Sequence, residues 1–325
     1  MIRFGVIGAG NISKTFSEAI KVTSASLEAI ASRDIEKAKV YQKQYGFKKA
    51  YGSYQELYMD PDVDCIYLAT PHGLHFEQMM DILDYSKAIL CEKAFTLNAR
   101  QAELVFNKAK TKNVFVMEAM WMRFLPNINH LKKIIDDGLI GSITKLEVDF
   151  CFKASVDDHH RLVRPELGGG ALLDVGIYPI NLANLLLGKP TSLTSNVEFY
   201  SSGVDMASTI TYNYSGVKAI LKSSFVHEQK REARIYGEKG YLIVPDFWAS
   251  EKTYHYNLNH DLIDTYSFNH RINGFEYEIE EVIRRINENN LESSTMSHKD
   301  TLEILRQMDA IRASWKLIYP QEKTY

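Results

Sequence analysis

The chain has 325 residues, of which 45% are hydrophobic and 24% are charged. This composition is typical of soluble globular proteins and excludes the disordered and fibrous classes. The length fits two domains of roughly 100–200 residues each. With 38 Lys and Arg against 41 Asp and Glu, the formal net charge is −3, and we expect no nucleic-acid partner because such binding needs a basic surface.

The spacing of the cysteines and the lengths of the apolar runs indicate the cellular compartment to expect for the protein. Cys65, Cys91 and Cys151 each lie in or beside an apolar run and form no C-x-x-C pair, so they are expected to be buried, reduced thiols. We find no apolar run of the ~18–20 residues that a membrane helix needs. The first ten residues, MIRFGVIGAG, reach glycine too early for a signal peptide. We therefore expect a cytoplasmic protein with no membrane partner.

Residues 1–120 alternate between short apolar runs and longer amphipathic stretches. The runs predict strands at 2–7, 27–31, 65–69, 88–91 and 114–117, and the stretches predict helices at 16–22, 35–45, 75–85 and 99–110. Strand and helix in alternation indicate βαβ units on a parallel sheet with helices on both faces. The sequence therefore predicts a doubly wound domain over residues 1–120.

The pattern changes after Phe124-Leu125-Pro126. A helix is predicted at 128–136, strands at 143–152, 193–199, 207–214, 218–225, 232–236 and 240–244, and closing helices at 275–287 and 299–317. Tight turns such as 214–217 indicate an antiparallel or mixed sheet. Residues 121–325 are therefore predicted to form a second domain.

A glycine-rich loop follows the first strand and opens the first helix. Gly8 permits a tight turn, and Gly10 lets the backbone around Asn11 and Ile12 approach a pyrophosphate at the positive end of the helix. Ser13 stands where a small residue allows close packing of helix on strand. This placement favours dinucleotide binding, with a purely structural glycine turn as the alternative.

The second strand ends at Ser32-Arg33-Asp34, where NAD-binding proteins carry an acid that contacts the ribose 2′-hydroxyl. Ser32 occupies the acid position, and the guanidinium of Arg33 can pair with a 2′-phosphate. Asp34 is predicted to cap the next helix. The pattern favours NADP, with NAD possible if Arg33 is only a solvated surface charge.

The motif 70–75 follows a buried strand and is expected at the carboxyl edge of the sheet, where ligands bind. Thr70 and Pro71 are predicted to line the cofactor, and His75 to cap the nicotinamide ribose. His72 and His75 have no third ligand at suitable spacing, so we predict no metal. The run 157–160, Asp-Asp-His-His, is interpreted in the same way as a solvated loop near the substrate entrance.

Two further stretches carry residues suited to acid–base chemistry. Glu92 and Lys93 end another buried strand at the same sheet edge, where both are predicted to bind the cofactor. A lysine there can also stabilise a developing alkoxide or lower the pKa of a neighbour. Asp174 and Tyr178 follow three glycines and share a helix face if the segment is helical, although Pro179 biases Tyr178 away from helix. A tyrosine beside a lysine can act as a general acid or base. A core tyrosine and a solvated lysine are the alternatives.

Together these motifs resemble the Gfo/Idh/MocA oxidoreductase family. The resemblance is expected to run over nearly the whole chain. It is carried by VIGAG, SRD, ATPHGLH, CEKAFTLNARQAE, EAMWMRF and GGGALLDVGIYPI, which lie within residues 6–180. It is strongest to the subgroup of dimeric dihydrodiol dehydrogenase and NADP-dependent D-xylose dehydrogenase. It implies an α/β plus α+β fold: a Rossmann domain, then a substrate-binding domain with a large open, mostly antiparallel sheet, flanking helices and a homodimer formed through that sheet.

The resemblance also implies roles for individual residues. Lys93 would act with Tyr178, which stands where sugar-oxidising relatives often carry histidine, and Asp174 would contact the substrate. Trp121 and Arg123 would face the cofactor and the substrate. Relatives have proline after the lysine, in some of them with a cis peptide, whereas this chain has Ala94; the sequence leaves the geometry of the Lys93–Ala94 peptide open.

The resulting hypothesis is an NADP-dependent dehydrogenase acting on a secondary alcohol or hemiacetal carbon of a sugar, polyol or trans-dihydrodiol. Tyr178 would take the hydroxyl proton with help from Lys93 while hydride passes to the cofactor. The same groups would serve a carbonyl reductase working in the opposite direction. A non-catalytic dinucleotide-binding sensor is the alternative from a different class.

Overall fold

The computed structural model describes residues 1–324, which divide into two compact units. Unit 1 holds residues 1–121 and 270–302, and unit 2 holds residues 122–269 and 303–324. The structure thus differs from two consecutive domains, because 270–302 packs with the N-terminal part. There the side-chain amide of Asn273 donates to the Thr15 carbonyl (3.0 Å), and the Val116 N–H donates to the Leu291 carbonyl (3.1 Å).

Unit 1 is built on a parallel sheet with the strand order β3-β2-β1-β4-β5-β6. Its strands are β1 Arg3–Ile7, β2 Ser26–Ala31, β3 Lys49–Tyr51, β4 Cys65–Leu68, β5 Ala88–Glu92 and β6 Val116–Ala119. Its helices up to β6 are α1 Asn11–Ala19, α2 Ile35–Tyr45, α3 Tyr54–Met59, α4 His72–Asp84 and α5 Ala99–Lys112. The chain reverses direction across the sheet between β1 and β4, the position where ligands bind in doubly wound folds.

Local capping explains where several of these helices begin and end. Asp34 accepts from the amides of Glu36 and Lys37 at the start of α2, and Gly46 ends that helix with a left-handed φ of 86°, as helix caps do. Ser53 and Glu56 form a reciprocal capping box on α3. The prediction of α2 was therefore correct to the residue, while β3 and α3 were missed.

Unit 2 is built on an open sheet with the strand order β14-β13-β12-β11-β7-β10-β9-β8. Its strands are β7 Ile143–Cys151, β8 Ser192–Phe199, β9 Asp205–Asn213, β10 Lys218–Ser224, β11 Glu232–Gly237, β12 Tyr241–Pro245, β13 Lys252–Tyr256 and β14 Leu262–Ser267. Neighbours pair antiparallel except β7 with β10, which are parallel. Helices α6 Pro126–Asp136 and α7 Ile177–Leu187 precede and follow β7 in the chain.

The last two helices are α8 Phe275–Asn287, in unit 1, and α9 His298–Trp315, within which the division between the units falls. One stretch, Pro165–Leu187, is long and apolar enough to cross a membrane by length and composition, although none was expected; 78% of its most apolar part is buried inside the protein. Buried core helices pass the same test, so this stretch is weak support for a membrane span.

The three cysteines are free and buried, as predicted. Burial raises the pKa of the Cys151 thiol to about 12, and it also raises the pKa of the Cys65 and Cys91 thiols. These thiols are therefore protonated and unreactive at neutral pH, because the thiolate is the nucleophilic form.

Candidate active site

The glycine loop after β1 has two glycines in different environments. Gly8 has a left-handed φ of 99°, and a Cβ there would lie 2.8 Å from the carbonyl oxygen of Ala69, which follows β4. A Cβ on Gly10 would meet nothing within 4 Å. Gly8 is thus required by the fold, whereas the space at Gly10 is open to a ligand that approaches the backbone.

The start of α1 is suited to an anion. Gly10 is its N-cap, no side chain caps the helix, and no acidic residue lies in the first turn around Asn11 and Ile12. Ser13 is fully buried and donates through Oγ to the Gly8 carbonyl (2.5 Å). The unfilled amides and the helix dipole together fit a pyrophosphate.

The end of β2 carries a cationic group beside this loop. The amide of Gly8 donates to the Ala31 carbonyl (3.1 Å), which ties the two strand ends together. Asp34 is occupied as the cap of α2, and Ser32 Oγ accepts from the Asp34 amide (3.3 Å). The side chain of Arg33 is exposed and makes no hydrogen bond or ion pair with any residue in 1–324. It is therefore available to a phosphate.

Lys37 was not picked out by the sequence reasoning. It lies in the first turn of α2, its side chain is exposed, and it has no ion-pair partner within residues 1–324. The only available sequence feature was its position three residues after the helix cap Asp34, in the first turn that follows the end of β2. A second free cation at this strand end favours a doubly charged 2′-phosphate over a ribose hydroxyl.

The loop after β4 gives His75 a different place from the predicted one. His75 is fully buried; Nδ1 lies 2.9 Å from the Ala94 carbonyl oxygen and Nε2 lies 2.7 Å from the Thr70 carbonyl oxygen. Burial lowers the pKa of its imidazole. With no exposed atom to offer a ribose, His75 instead ties the loop after β4 to the loop after β5. Thr70 and Pro71, just before α4, are both partly exposed.

No group of three possible metal-ligating side chains occurs in the part of the chain that the structure describes. His72 packs edge-on to His75 with ring centroids 5.9 Å apart, and His75 already has both ring nitrogens at carbonyls. In the run 157–160, the carboxylate of Asp157 accepts from the amide of His159, and Asp158 accepts from the hydroxyl of Tyr200. These contacts are those of a surface loop.

Glu92 is the last residue of β5, and Lys93 follows it. The Glu92 carboxylate is buried and accepts from the Tyr67 hydroxyl (2.5 Å) and from the Lys93 amide (3.2 Å). The Lys93–Ala94 peptide, left open by the sequence, is cis. Two hydrogen bonds therefore hold the Glu92 carboxylate at the end of β5, next to the backbone of Lys93.

Glu278, on α8, is a second buried acid that the sequence reasoning missed. It is fully buried, and neither carboxyl oxygen has a hydrogen-bond partner among the described residues. Burial, together with the charge of Glu92, raises the pKa of Glu278 well above its usual range. Burial near another carboxylate thus favours the protonated form of Glu278. An acid on an amphipathic helix gives no sequence signal of burial.

Trp121 and Arg123 lie on either side of the division between the units. In unit 1, Trp121 is buried and packs on Phe275 with ring centroids 4.7 Å apart. In unit 2, Arg123 is buried and donates from Nε to Oδ1 of Asn181 (3.0 Å), whose amide donates to the Ile177 carbonyl (3.1 Å). Arg123 is thereby fixed to α7.

The segment that carries Asp174 and Tyr178 is helical. Leu172–Gly176 forms a turn of π-helix that leads directly into α7. Pro179 is the third residue of α7 and follows the π-turn closely, so the proline lies where the regular hydrogen-bond pattern is already interrupted. Both side chains are nearly buried: Asp174 accepts from Nη1 of Arg161 (3.0 Å), and Tyr178 packs on the ring of Phe150.

Two groups of candidate residues result. At the carboxyl edge of the unit 1 sheet lie the phosphate loop, the end of β2, the loop after β4 and the loop after β5, where parallel strands end together. In unit 2, Asp174 lies in the π-turn and Tyr178 lies in α7, and Arg123 donates a hydrogen bond to Asn181 of the same helix. Unit 1 thus carries a helix start suited to an anion, two exposed cations and Lys93, and unit 2 carries a phenol and a carboxylate.

Comparison with known proteins gives the family. Residues 2–120 match the family model for an oxidoreductase family with an NAD-binding Rossmann fold, and residues 128–243 match the GFO/IDH/MocA C-terminal domain. The chain is 32% identical to the trans-1,2-dihydrobenzene-1,2-diol dehydrogenase of Xenopus tropicalis, over 98% of this chain and 99% of that protein. The chain belongs to the Gfo/Idh/MocA oxidoreductase family.

A second curated relative and a solved structure resemble the chain over the same length. It is 31% identical to the scyllo-inositol 2-dehydrogenase (NADP(+)) IolU of Bacillus subtilis, over 99% of this chain and 100% of that protein. It superimposes on the 3-ketoreductase KijD10 of Actinomadura kijaniata, in complex with NADP and TDP-benzene, with a TM-score of 0.88 at 24% identity, covering 96% of this chain and 97% of that one.

These comparisons confirm several predictions. The α/β plus α+β fold and the family are confirmed. The enzyme class, an oxidoreductase, and the nicotinamide dinucleotide cofactor are confirmed as well. The choice of substrate, the direction of the reaction and the roles of individual residues are finer points that the comparisons leave to the chemistry of the site.

Proposed function

We propose that the protein is an NADP-dependent dehydrogenase that transfers hydride between the nicotinamide and a secondary alcohol or hemiacetal carbon of a sugar, a polyol or a trans-dihydrodiol. Relatives above 30% identity are named as dehydrogenases of a dihydrodiol and of an inositol, which are both ring compounds with adjacent hydroxyl groups. That shared chemistry supports a substrate with neighbouring hydroxyls.

The observation that carries the cofactor choice is the end of β2. Ser32 stands where an acid would accept from a ribose 2′-hydroxyl, Asp34 is occupied as a helix cap, and Arg33 is exposed without a partner among the described residues. A guanidinium pairs with a phosphate through two hydrogen bonds. Lys37 adds a second positive charge. These groups favour NADP, and NAD would bind at the same loop more weakly.

The residues proposed for the chemistry are Tyr178, Lys93 and Asp174. When bound, the nicotinamide supplies the hydride acceptor or donor. Tyr178 takes the proton from the substrate hydroxyl, or returns it in the reverse direction, and the ammonium of Lys93 favours the phenolate form. Asp174, oriented by Arg161, accepts hydrogen bonds from neighbouring substrate hydroxyls. Arg123 and Trp121 are proposed to border the cofactor.

Both directions use the same groups, so a ketone reductase and an alcohol dehydrogenase differ only in which substrate is supplied. The protein is further proposed to act in the cytoplasm as a homodimer formed through the open face of the unit 2 sheet. Exposed Leu262 and Ile263 on β14 support a protein contact there, because exposed apolar patches mark interfaces. Light scattering at twice the mass of the chain would support the dimer, and a monomer would contradict it.

Turnover is tested by following NADPH absorbance with a panel of sugars, polyols and cyclic diols. The variants Tyr178→Phe and Lys93→Met should each lower kcat by roughly a hundredfold or more, the usual size of general acid–base effects, with NADPH affinity nearly unchanged. Tyr54→Phe and Lys43→Met are matched controls, since neither side chain makes a hydrogen bond within residues 1–324. Full activity of Tyr178→Phe would remove the tyrosine from the mechanism, and NADPH binding without any turnover would favour the sensor.

A further inference from the structure

A buried carboxylate lies at the start of the helical segment that carries Asp174 and Tyr178. Asp205, the first residue of β9, is fully buried, and its Oδ2 accepts from the amide of Leu172 (2.6 Å). Leu172 begins the π-turn that contains Asp174 and leads into α7. The carboxylate therefore lies at the positive end of this segment, which favours its ionised form and opposes the effect of burial.

Further contacts are made by the glycines just before Leu172. A Cβ on Gly170 would lie 2.3 Å from Oδ1 of Asp205, so only glycine leaves room for the carboxylate. The hydroxyl of Tyr319, fully buried, donates to the carbonyl of Gly169 (2.6 Å). The glycine stretch before the π-turn thus contacts two elements: β9, through Asp205, and the C-terminal segment, through Tyr319.

The charges that face Asp205 come from α9 and the C-terminal segment. Arg312 lies over the ring of Tyr319 at 5.1 Å, and its guanidinium is bound by Glu322 (2.8 Å) and Asp309 (2.9 Å). Oδ1 of Asp205 has no hydrogen-bond partner in residues 1–324. Burial raises the pKa of Asp205 to about 6, against the lowering effects of the Leu172 amide and the charge of Arg312.

The raised pKa of Asp205 determines how its contribution to stability changes with pH. The folded protein holds this proton more tightly than the unfolded chain does, so the contribution of Asp205 to stability is complete below its ordinary pKa and is lost as the pH rises through about 6. At neutral pH the ionised form is therefore a cost to the fold. A neutral side chain would serve stability better, which points to a use for the charge other than stability.

We propose that Asp205 is a positioning residue, whose buried carboxylate fixes the start of the helical segment through the Leu172 amide and thereby orients Asp174 and Tyr178. This inference rests on the proposed function, since it takes those two residues as the catalytic pair. Above about pH 6 the charged carboxylate holds the segment. Below that pH the carboxyl is protonated, the hold weakens, and turnover falls while global stability does not fall through this group.

The test compares wild type with Asp205→Asn, which keeps the shape and removes the charge. At pH 8 the variant should melt at the wild-type temperature or higher, and its kcat should be about three- to tenfold lower, the size of effect expected for losing a charge at a helix start. The acid limb of kcat near pH 6 should disappear in the variant. Asp309→Asn is the control, because it takes a carboxylate from the same Arg312 without touching Leu172, and its pH profile should be that of wild type.

Hydrogen exchange separates this inference from the proposed function. In wild type, the peptide 168–178 should lose protection at pH 5 relative to pH 8, after correction for intrinsic exchange, whereas the β7 peptide 143–151 should not. This measurement needs no substrate and no variant. It therefore tests whether Asp205 positions the segment even if Asp205→Asn fails to fold or no substrate is found. Equal protection at both pH values, or an Asp205→Asn variant with wild-type kcat and acid limb, would overturn the proposal.

Discussion

The two glycines of the phosphate loop should respond to the same substitution in opposite ways. In Gly8→Ala, the new methyl would lie 2.8 Å from the Ala69 carbonyl oxygen at a φ of 99°. The left-handed backbone costs about 1–2 kcal/mol for an L-residue, and the overpacking costs about 1–3 kcal/mol. The free energy of unfolding should therefore fall by roughly 2–5 kcal/mol, which lowers Tm by about 4–20 °C in a domain of this size.

Gly10→Ala is the matched case. Its φ of −118° is ordinary for alanine, and the methyl would meet nothing within 4 Å. Tm should therefore change by less than about 1 °C, as for surface substitutions that create no strain. The methyl occupies the space that a pyrophosphate needs next to the amides of α1, so the Kd for NADPH should rise at least about tenfold.

Both variants are measured by thermal unfolding without cofactor and by NADPH fluorescence titration well below the melting temperature. The reasoning requires the stability loss in Gly8→Ala and the binding loss in Gly10→Ala. Tight NADPH binding by Gly10→Ala would show that the dinucleotide lies elsewhere. A Gly8→Ala variant that melts like wild type would show that the loop is not packed against the strand end as described.

Three other predictions concern single side chains. Arg33→Ala should raise KM for NADPH about tenfold and leave KM for NADH unchanged in steady-state assays, with Lys43→Ala as the surface control; equal effects on both cofactors would contradict the phosphate contact. Glu278→Gln should gain Tm relative to wild type as the pH rises from 5 to 8. The raised pKa of Glu278 makes the stability of wild type fall by about 1.4 kcal/mol per pH unit between the unfolded and folded pKa values of this group. A difference in Tm that stays constant with pH would mean that Glu278 is not protonated in the folded protein. His75→Phe should lose about 1–3 kcal/mol in urea unfolding, because the neutral ring donates one N–H to a carbonyl that phenylalanine would leave unsatisfied; an unchanged midpoint would contradict this prediction.

Much of the fold follows from local patterns in the chain. Helix α2 has Asp34 at one end and Gly46 at the other, and α8 keeps the predicted bounds 275–287 because its apolar residues recur at helical spacing. Helix α1 begins five residues before the predicted start, since residues 11–14 contain a single apolar side chain, Ile12, and carry no periodic signal. Strand β3 has only three residues, too few for a pattern.

The candidate site shows where sequence reasoning ends. The glycine loop and the end of β2 could be found because backbone needs dictate particular residue types at fixed distances from a strand. The tertiary contacts of His75, Glu278 and Asp205 could not, because burial of a polar side chain depends on elements far away in the chain. Residues 270–302 join unit 1 for the same reason: their contacts to Thr15 and Val116 span most of the sequence.

The central claim is that Tyr178 and Lys93 act together on one substrate carbon beside the nicotinamide. A crystal structure of the protein with NADP bound tests this most directly, through the distance between Tyr178 Oη and Lys93 Nζ. The account predicts about 2.6–3.2 Å, with both atoms facing the reactive carbon of the nicotinamide ring. Side chains that lie far apart, or that face away from the ring, would contradict it.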